Sequence, residues 1–263
     1  MNKKLISLLL SLFAFFTFSN TAFADEERSP IWQVSDEWRF TVDPYAWVPM
    51  VSVTTSNANG KSGHAGLTIN DVINNLKSGG MITGEAHYGN WGLMADSAMA
   101  TLQKDGGFTF NHIKASDKAT LQASLVTGAV TYTVFNTKDA YVDALVGARW
   151  MSLTSTLDIS SGPYNVSASS PMHTTDVIGG FKGRYRIMDS SWYIPFYADY
   201  GVGGGPNNMT WQASVGIGKA VSKMVDVSLI YRTVYFDINS GPENSSLLKG
   251  TFHGPQINAT FNF

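Results

Sequence analysis

The sequence predicts an all-β chain, a closed antiparallel transmembrane β-barrel of about ten strands, with eight or twelve as the alternatives and a short helix in the first long loop. Three observations carry this expectation. Strand-like segments alternate apolar and polar residues with period two. The 263 residues are 13% aromatic but only 14% charged, where a soluble domain carries about a quarter. Connections between the segments alternate between short and long, as in barrels built from hairpins.

The alternation is clearest over 176–188. Asp176, Gly180, Lys182, Arg184 and Arg186 share one face, and Val177, Phe181, Tyr185 and Ile187 share the other. Trp38, Phe40 and Val42 likewise oppose Arg39, Thr41 and Asp43. Trp192, Ile194, Phe196, Ala198, Tyr200 and Val202 oppose Tyr193, Tyr197 and Asp199. The pattern recurs in Trp211–Ile217, Val225–Tyr235 and Ile257–Phe263. Successive strand side chains point to opposite faces, so each segment fits lipid on one side and lumen on the other. A charge facing hydrocarbon costs ~2–4 kcal/mol at mid-depth, which accounts for the low charge.

The expected strands are 37–54, 80–89, 91–104, 118–136, 139–158, 173–188, 191–203, 208–221, 224–239 and 249–263. Gly89-Asn90, Asn136 to Lys138, Asp189-Ser190 and Ser222-Lys223 make short turns. The other connections are 55–79, 105–117, 159–172, 204–207 and 240–248, of which only 204–207 is short. In 55–79, Leu67, Ile69, Val72, Ile73 and Leu76 fall at helical spacing, with Asn70 or Asp71 as cap and Gly79-Gly80 as stop. This loop is expected to cover one barrel mouth, or to gate it.

The two ends point to export. Lys3 and Lys4 precede an apolar run, Leu5 to Phe18, and Ala22-Phe23-Ala24 offers the small-x-small cleavage pattern. Residues 1–24 are therefore expected to be a signal peptide cut between Ala24 and Asp25, leaving one domain over 25–263 that is exported to the periplasm. The apolar run is too short for a spanning helix, which needs about 20 residues. The chain has no cysteine, so no disulfide, thiolate metal site or lipidated cysteine is available. A formal charge of −2 argues against a nucleic-acid partner. At the other end, Phe261 and Phe263 close an alternating segment; this ending is similar to the insertion signal that the barrel assembly machinery reads on the last strand of outer-membrane barrels.

Several stretches in order carry a wider resemblance: Asp43-Pro44-Tyr45-Ala46-Trp47-Val48-Pro49, Gly89 to Asp96, Val146-Gly147-Ala148-Arg149, Met209 to Ala213, Tyr231-Arg232 and Gly254-Pro255. With these the chain resembles a broad group of small proteobacterial outer-membrane β-barrel proteins, mostly without assigned function. The resemblance implies a Gram-negative outer-membrane location, with membrane lipid and lipopolysaccharide as neighbours, and carries over no catalytic residues. Asn207-Asn208 stands where a more regular relative would place an acidic residue.

The expected lumen face carries six basic residues, Arg39, Arg149, Lys182, Arg184, Arg186 and Arg232, and seven acidic ones, Asp43, Glu85, Asp96, Asp143, Asp176, Asp199 and Asp226. Barrels of about eight strands are filled by side chains, whereas aqueous pores appear at ~16–18 strands. A balanced set of charges in a narrow tube pairs across it, because an unpaired buried charge is costly. The expectation is a narrow or plugged barrel, a membrane scaffold or selective small-solute path. A general porin is the alternative, in which Lys182, Arg184 and Arg186 would favour anions.

An outer-membrane enzyme hydrolysing lipid or peptide is the reading from another class. Its candidate bases are among His64, His87, His112, His173 and His253, with His87 beside Glu85 and His173 near Asp176. His253 is expected to face lipid. No Gly-x-Ser-x-Gly elbow or metal-ligand spacing supports it, so no enzyme, cofactor or metal is expected. The serine-rich 159–172 loop is a candidate for contact with an external partner. Nothing in the sequence sets the oligomeric state.

Overall fold

The computed structural model describes residues 29–57, 62–110, 113–161, 164–203, 208–240 and 246–263; the expected signal peptide and its Ala24–Asp25 junction lie outside them. The strands are β1 Arg39–Trp47, β2 Met50–Asn57, β3 Ser62–Leu67, β4 Leu76–Tyr88, β5 Trp91–Phe110 and β6 Ile113–Asn136. They continue as β7 Ala140–Ser161, β8 Tyr164–Arg186, β9 Trp192–Gly203, β10 Met209–Ala220, β11 Val225–Ser240 and β12 Ser246–Asn262, with one helix, α1, at Ile69–Asn75. All pairings are antiparallel, and β1 meets β12 to close the ring. β1 and β2 are successive halves of one stave against β12, and β3 pairs with β2 above the ring, so ten staves close the barrel.

The first stave breaks at Val48-Pro49, where proline has no N–H for the ladder. Below the break β1 pairs with β4 as far as Pro44–Ile82; above it β2 turns into the β2–β3 hairpin. The Trp47 amide, at the end of the β1–β4 ladder, donates to Met81 Sδ at 3.2 Å. The opposite end is closed by the last residue. Phe40 N–H donates to Phe263 O at 3.1 Å, and Phe263 N–H to Phe40 O at 2.9 Å.

The expected short turns are present, including the left-handed Gly89. Two expected long loops are not loops. Most of 105–117 and 159–172 continues as strand, so that β6 reaches 24 residues and β8 reaches 23, about twice the 9–11 needed to cross a bilayer. In 55–79, α1 forms as expected, but Thr68 is its N-cap in a reciprocal box with Asp71, and it ends before Leu76. Gly79 and Gly80 lie in β4 rather than at a helix stop. Val72 is buried, and α1 packs against β3 and β5 at the rim rather than across the bore.

Register separates two zones. In the lower zone, nearer the short turns, the outward residues are apolar: Leu93, Val130, Val146, Val177, Val202, Val215, Leu229 and Ile257 are all exposed. Aromatic residues flank this belt below, with Trp38 against Tyr88 and Trp91 against Tyr132. Trp150 and the stacked Trp211–Tyr235 pair lie toward its upper edge. This is the outward surface that lipid requires. Above it the polarity reverses. The outward row Thr101–Gln122–Thr154–Pro171 is mostly polar, while the inward row Ala100–Ala123–Leu153–Met172 is apolar.

Candidate functional site

The lumen is the concave site of this fold, and strand parity delivers its charges: all thirteen predicted residues lie on inward positions. One inward row reads Asp96–Thr127–Arg149–Asp176 across β5 to β8. From it Arg149 forms a bidentate pair with Asp199 of β9, both side chains almost fully buried. Gly180 lies between them on β8, where a Cβ would fall 2.1 Å from Ala198 O and 2.8 Å from Asp199 Cβ. Only glycine lets the strands approach so closely here.

Arg232, on β11, reaches across the bore. Its guanidinium donates to Asp96 Oδ2 at 2.9 Å, Gln212 Oε1 at 2.9 Å and the Tyr45 hydroxyl at 3.0 Å. Tyr45 in turn donates to Asp96 Oδ1 at 2.8 Å, as does Thr83. The guanidinium also covers the Trp47 ring at 4.9 Å. Lower down, Lys182 bridges Glu85 and Asp143, while His87 Nε2 lies 3.0 Å from Glu85. Arg184 pairs with Asp226 at 2.7 Å over the Tyr193 ring. Asp43 accepts from Asn258 at 2.7 Å, and Asp176 accepts from Thr174 at 3.0 Å.

Four of the thirteen act differently from the expected pairing across the lumen: Asp43 and Asp176 take the neutral partners Asn258 and Thr174, and Arg186 and Arg39 turn elsewhere. Arg186 does not pair across the lumen; it folds onto the adjoining turn, donating to the Ser190 carbonyl at 2.8 Å and to the Asp189 carbonyl. The left-handed Met188 and Asp189 turn those carbonyls toward it. Arg39 stacks on Trp32.

Trp32 belongs to a plug that the strand pattern did not reveal. Residues 29–35 fold into the short-turn mouth, with Pro30 and Ile31 buried. Asn136 Nδ2 donates to Trp32 O at 2.8 Å, and Val34 N–H donates to Asn136 Oδ1 at 3.3 Å. Gly89 N–H donates to Ser35 O at 3.0 Å, and Gln33 Nε2 to Thr137 O at 3.0 Å. Above this segment remains a cavity of about 190 Å³, lined by Arg39, Asp43, Glu85, His87, Asp143 and Lys182 together with apolar residues such as Met94 and Phe196.

The lumen is not polar throughout. Met94, Ala129, Leu145 and Ile178 form one inward apolar patch. Higher up, Trp47, Ala98, Leu125, Met151, Val234, Phe236, Ile238 and Leu248 pack together from opposite walls and fill the bore. The alternation itself places Val234, Phe236 and Ile238 on the Arg232 face of β11; the expectation of a polar lumen obscured them.

The four described histidines lie apart from one another. His173 faces outward, opposite in parity to Asp176. His253 Nδ1 lies 2.6 Å from the Tyr231 hydroxyl on the outward face, as expected, and His64 bonds Thr54 at 2.9 Å in the β2–β3 hairpin. His87 and Glu85 sit together, but Lys182 takes the same Glu85 oxygen. His112 lies outside the described residues.

Ten tilted staves, an apolar belt and a lumen filled by side chains define a transmembrane β-barrel of the outer-membrane type. No family model matches the sequence, and no curated protein matches it. Among solved structures, the outer-membrane protease OmpT from Escherichia coli is similar over 90% of this chain and all of its own, with TM-score 0.57 and 8% identity. That likeness is one of fold. The translocator domain of the autotransporter NalP from Neisseria meningitidis is similar with TM-score 0.43 and 10% identity, covering 99% of this chain and 96% of its own. Ail of Yersinia pestis has TM-score 0.31 and 12% identity, covering 87% and 100%.

Proposed function

We propose that this chain is a closed outer-membrane barrel, a membrane scaffold or a narrow selective path rather than a general porin. The observation that carries this reading is the Arg232–Asp96–Tyr45–Gln212 network, which ties β1, β5, β10 and β11 across the bore. Above it lies the packed Trp47–Met151–Phe236 cluster, and below it the 29–35 plug. A charge network within hydrogen-bond distance leaves little room for hydrated solutes, and Arg232, Asp96 and Tyr45, each held by two or more partners, resist displacement.

In this reading the short-turn end and both termini lie in the periplasm, and the long strands stand outside the cell. Membrane lipid contacts the belt, and lipopolysaccharide surrounds its upper edge. The barrel assembly machinery would engage β12, whose Phe261 points outward and whose Phe263 is exposed at the closing seam. The reading is non-enzymatic: among the described residues, the carboxylate beside a lumen histidine is Glu85, and it is already engaged by a lysine.

Planar-bilayer recording on the refolded chain tests it. The expected result is no steady conductance step above baseline. Regular steps scaling with salt concentration would establish an open pore instead.

A further inference from the structure

The outward surface of the belt is not evenly filled. Its lowest row runs Trp38–Tyr88–Trp91–Tyr132, with ring centroids 5.4 Å apart in the Trp38–Tyr88 pair and 4.9 Å apart in the Trp91–Tyr132 pair. The row above it is Phe40–Ala86–Leu93–Val130, in which Ala86 alone is small. Gly92, beside Ala86's partner Leu93, adds no bulk either; it is held to glycine from the inner side, where a Cβ would meet Thr131 Oγ1 and the His87 ring. These residues leave an apolar groove of about 260 Å³, lined by Trp38, Ala86, Tyr88, Trp91, Leu93 and Val130. The next outward positions on β4 and β5 are Gly84 and Ala95, so no bulky side chain of these strands closes the groove toward the membrane centre. Its short-turn end is acidic. Asp36 Oδ1 lies 4.0 Å from where a Cβ on Gly89 would stand, next to Tyr88, and Glu37 adjoins Trp38. Both carboxylates are exposed, and among the described residues neither forms an ion pair. Lys138, on the β6–β7 turn, is engaged by Asp139 and Asp189.

We propose that this groove holds one acyl chain of a phospholipid whose headgroup ammonium pairs with Asp36 and Glu37, a phosphatidylethanolamine of the periplasmic leaflet. The inference rests on the outer-membrane reading above, with the short turns in the periplasm. Depth and charge select this occupant. Tryptophan and tyrosine rings sit at headgroup level, so the groove above Tyr88 lies at chain depth and the two carboxylates at headgroup depth. Within lipid a chain gains nothing from leaving water; it is retained by packing against the walls of the groove and by its headgroup contact. An anionic phosphatidylglycerol would bring its phosphate against two unpaired carboxylates and supply no cation to them. A second copy seated on the same groove across a two-fold axis would set the acidic pairs of the two chains against each other.

The test uses the full chain, refolded and purified in detergent. Phosphatidylethanolamine and phosphatidylglycerol with identical chains are added in equal amounts, and native mass spectrometry counts the lipid retained per barrel. The expected result is one retained phosphatidylethanolamine, favoured about fivefold over phosphatidylglycerol, the scale of an exposed ion pair. Asp36→Asn combined with Glu37→Gln brings the two lipids to parity. Ala86→Phe, which fills the groove, lowers retention of both roughly tenfold through lost packing contacts. Ala213→Phe, at an exposed outward position of β10 across the ring, changes neither. Heat-modifiable migration verifies that each variant has folded, and Ala86→Leu substitutes if Ala86→Phe has not. Retention depends neither on whether the lumen conducts nor on which way the barrel stands, so its failure is distinct from failure of the closed-barrel reading. Equal retention of the two lipids by the unaltered chain would overturn the proposal. So would phosphatidylethanolamine retention indifferent to Ala86→Phe, or a dimer that carries no lipid.

Discussion

Arg232 and Asp96, 136 positions apart in sequence, meet across the lumen at 2.9 Å with side chains only 4% and 10% exposed. Removing one partner strands the other. Asp96→Asn or Arg232→Met is expected to destabilise the barrel by ~3–5 kcal/mol, the cost of an uncompensated buried charge. The double replacement is expected to cost less than the two single changes together. Urea midpoints of the barrel in vesicles, read by tryptophan fluorescence, check both statements.

The plug depends on Asn136, which both donates to Trp32 and accepts from Val34. Asn136→Ala is expected to weaken its seating by about 1–3 kcal/mol while leaving the ladder intact. Faster hydrogen exchange over 29–35, with unchanged exchange in β6 and β7, is the predicted signature.

At the rim, Thr68 and Asp71 cap α1 reciprocally, at 2.9 Å from Thr68 N–H to Asp71 and 3.2 Å in return. Thr68→Ala is expected to lose about 1 kcal/mol of helix stability. The hydrogen bonds from the Thr68 side chain and backbone hold the Asp71 carboxyl below the usual carboxylate range. Its contribution is thus fully present above the unfolded-state value, near pH 4, and is lost as pH falls through the lower native value. Exchange of the α1 amides followed down an acid series measures this, with Asp71→Asn removing the pH dependence.

Gly180 supplies a steric test. A methyl there would meet Ala198 O at 2.1 Å, so Gly180→Ala is expected to disrupt the Arg149–Asp199 pair and cost at least ~1–3 kcal/mol, as overpacking does. Gly128, with open space around it, is the control: Gly128→Ala leaves the midpoint near wild type.

Much of this architecture is written in the alternation. Lys182, Arg184 and Arg186 faced the lumen by parity alone, because a strand that has one face in lipid has no other place for them. Partners were less legible. Parity put Arg186 inward, but the left-handed Met188–Asp189 turn gave it nearer carbonyls. The extension of β8 over 164–172 was hidden because a polar wall standing in water has the Ser, Thr and Asn content of a loop. The apolar upper lumen was hidden for the converse reason: Leu153 and Phe236 obey the period, but above the belt the meaning of each face is exchanged. Residues 29–35 carry no period, and only tertiary contacts reveal their place.

The most direct test of a closed, outward-standing barrel uses the absence of native cysteine. Thr154→Cys places a thiol on the outer side of the tall wall, and Ser214→Cys places one in the lumen cavity beneath the apolar cluster. Whole cells are treated with a membrane-impermeant maleimide. The account predicts complete labelling at position 154 and none at 214 until the cells are lysed and the protein unfolded. Labelling of 214 from outside at the rate of 154 would contradict it.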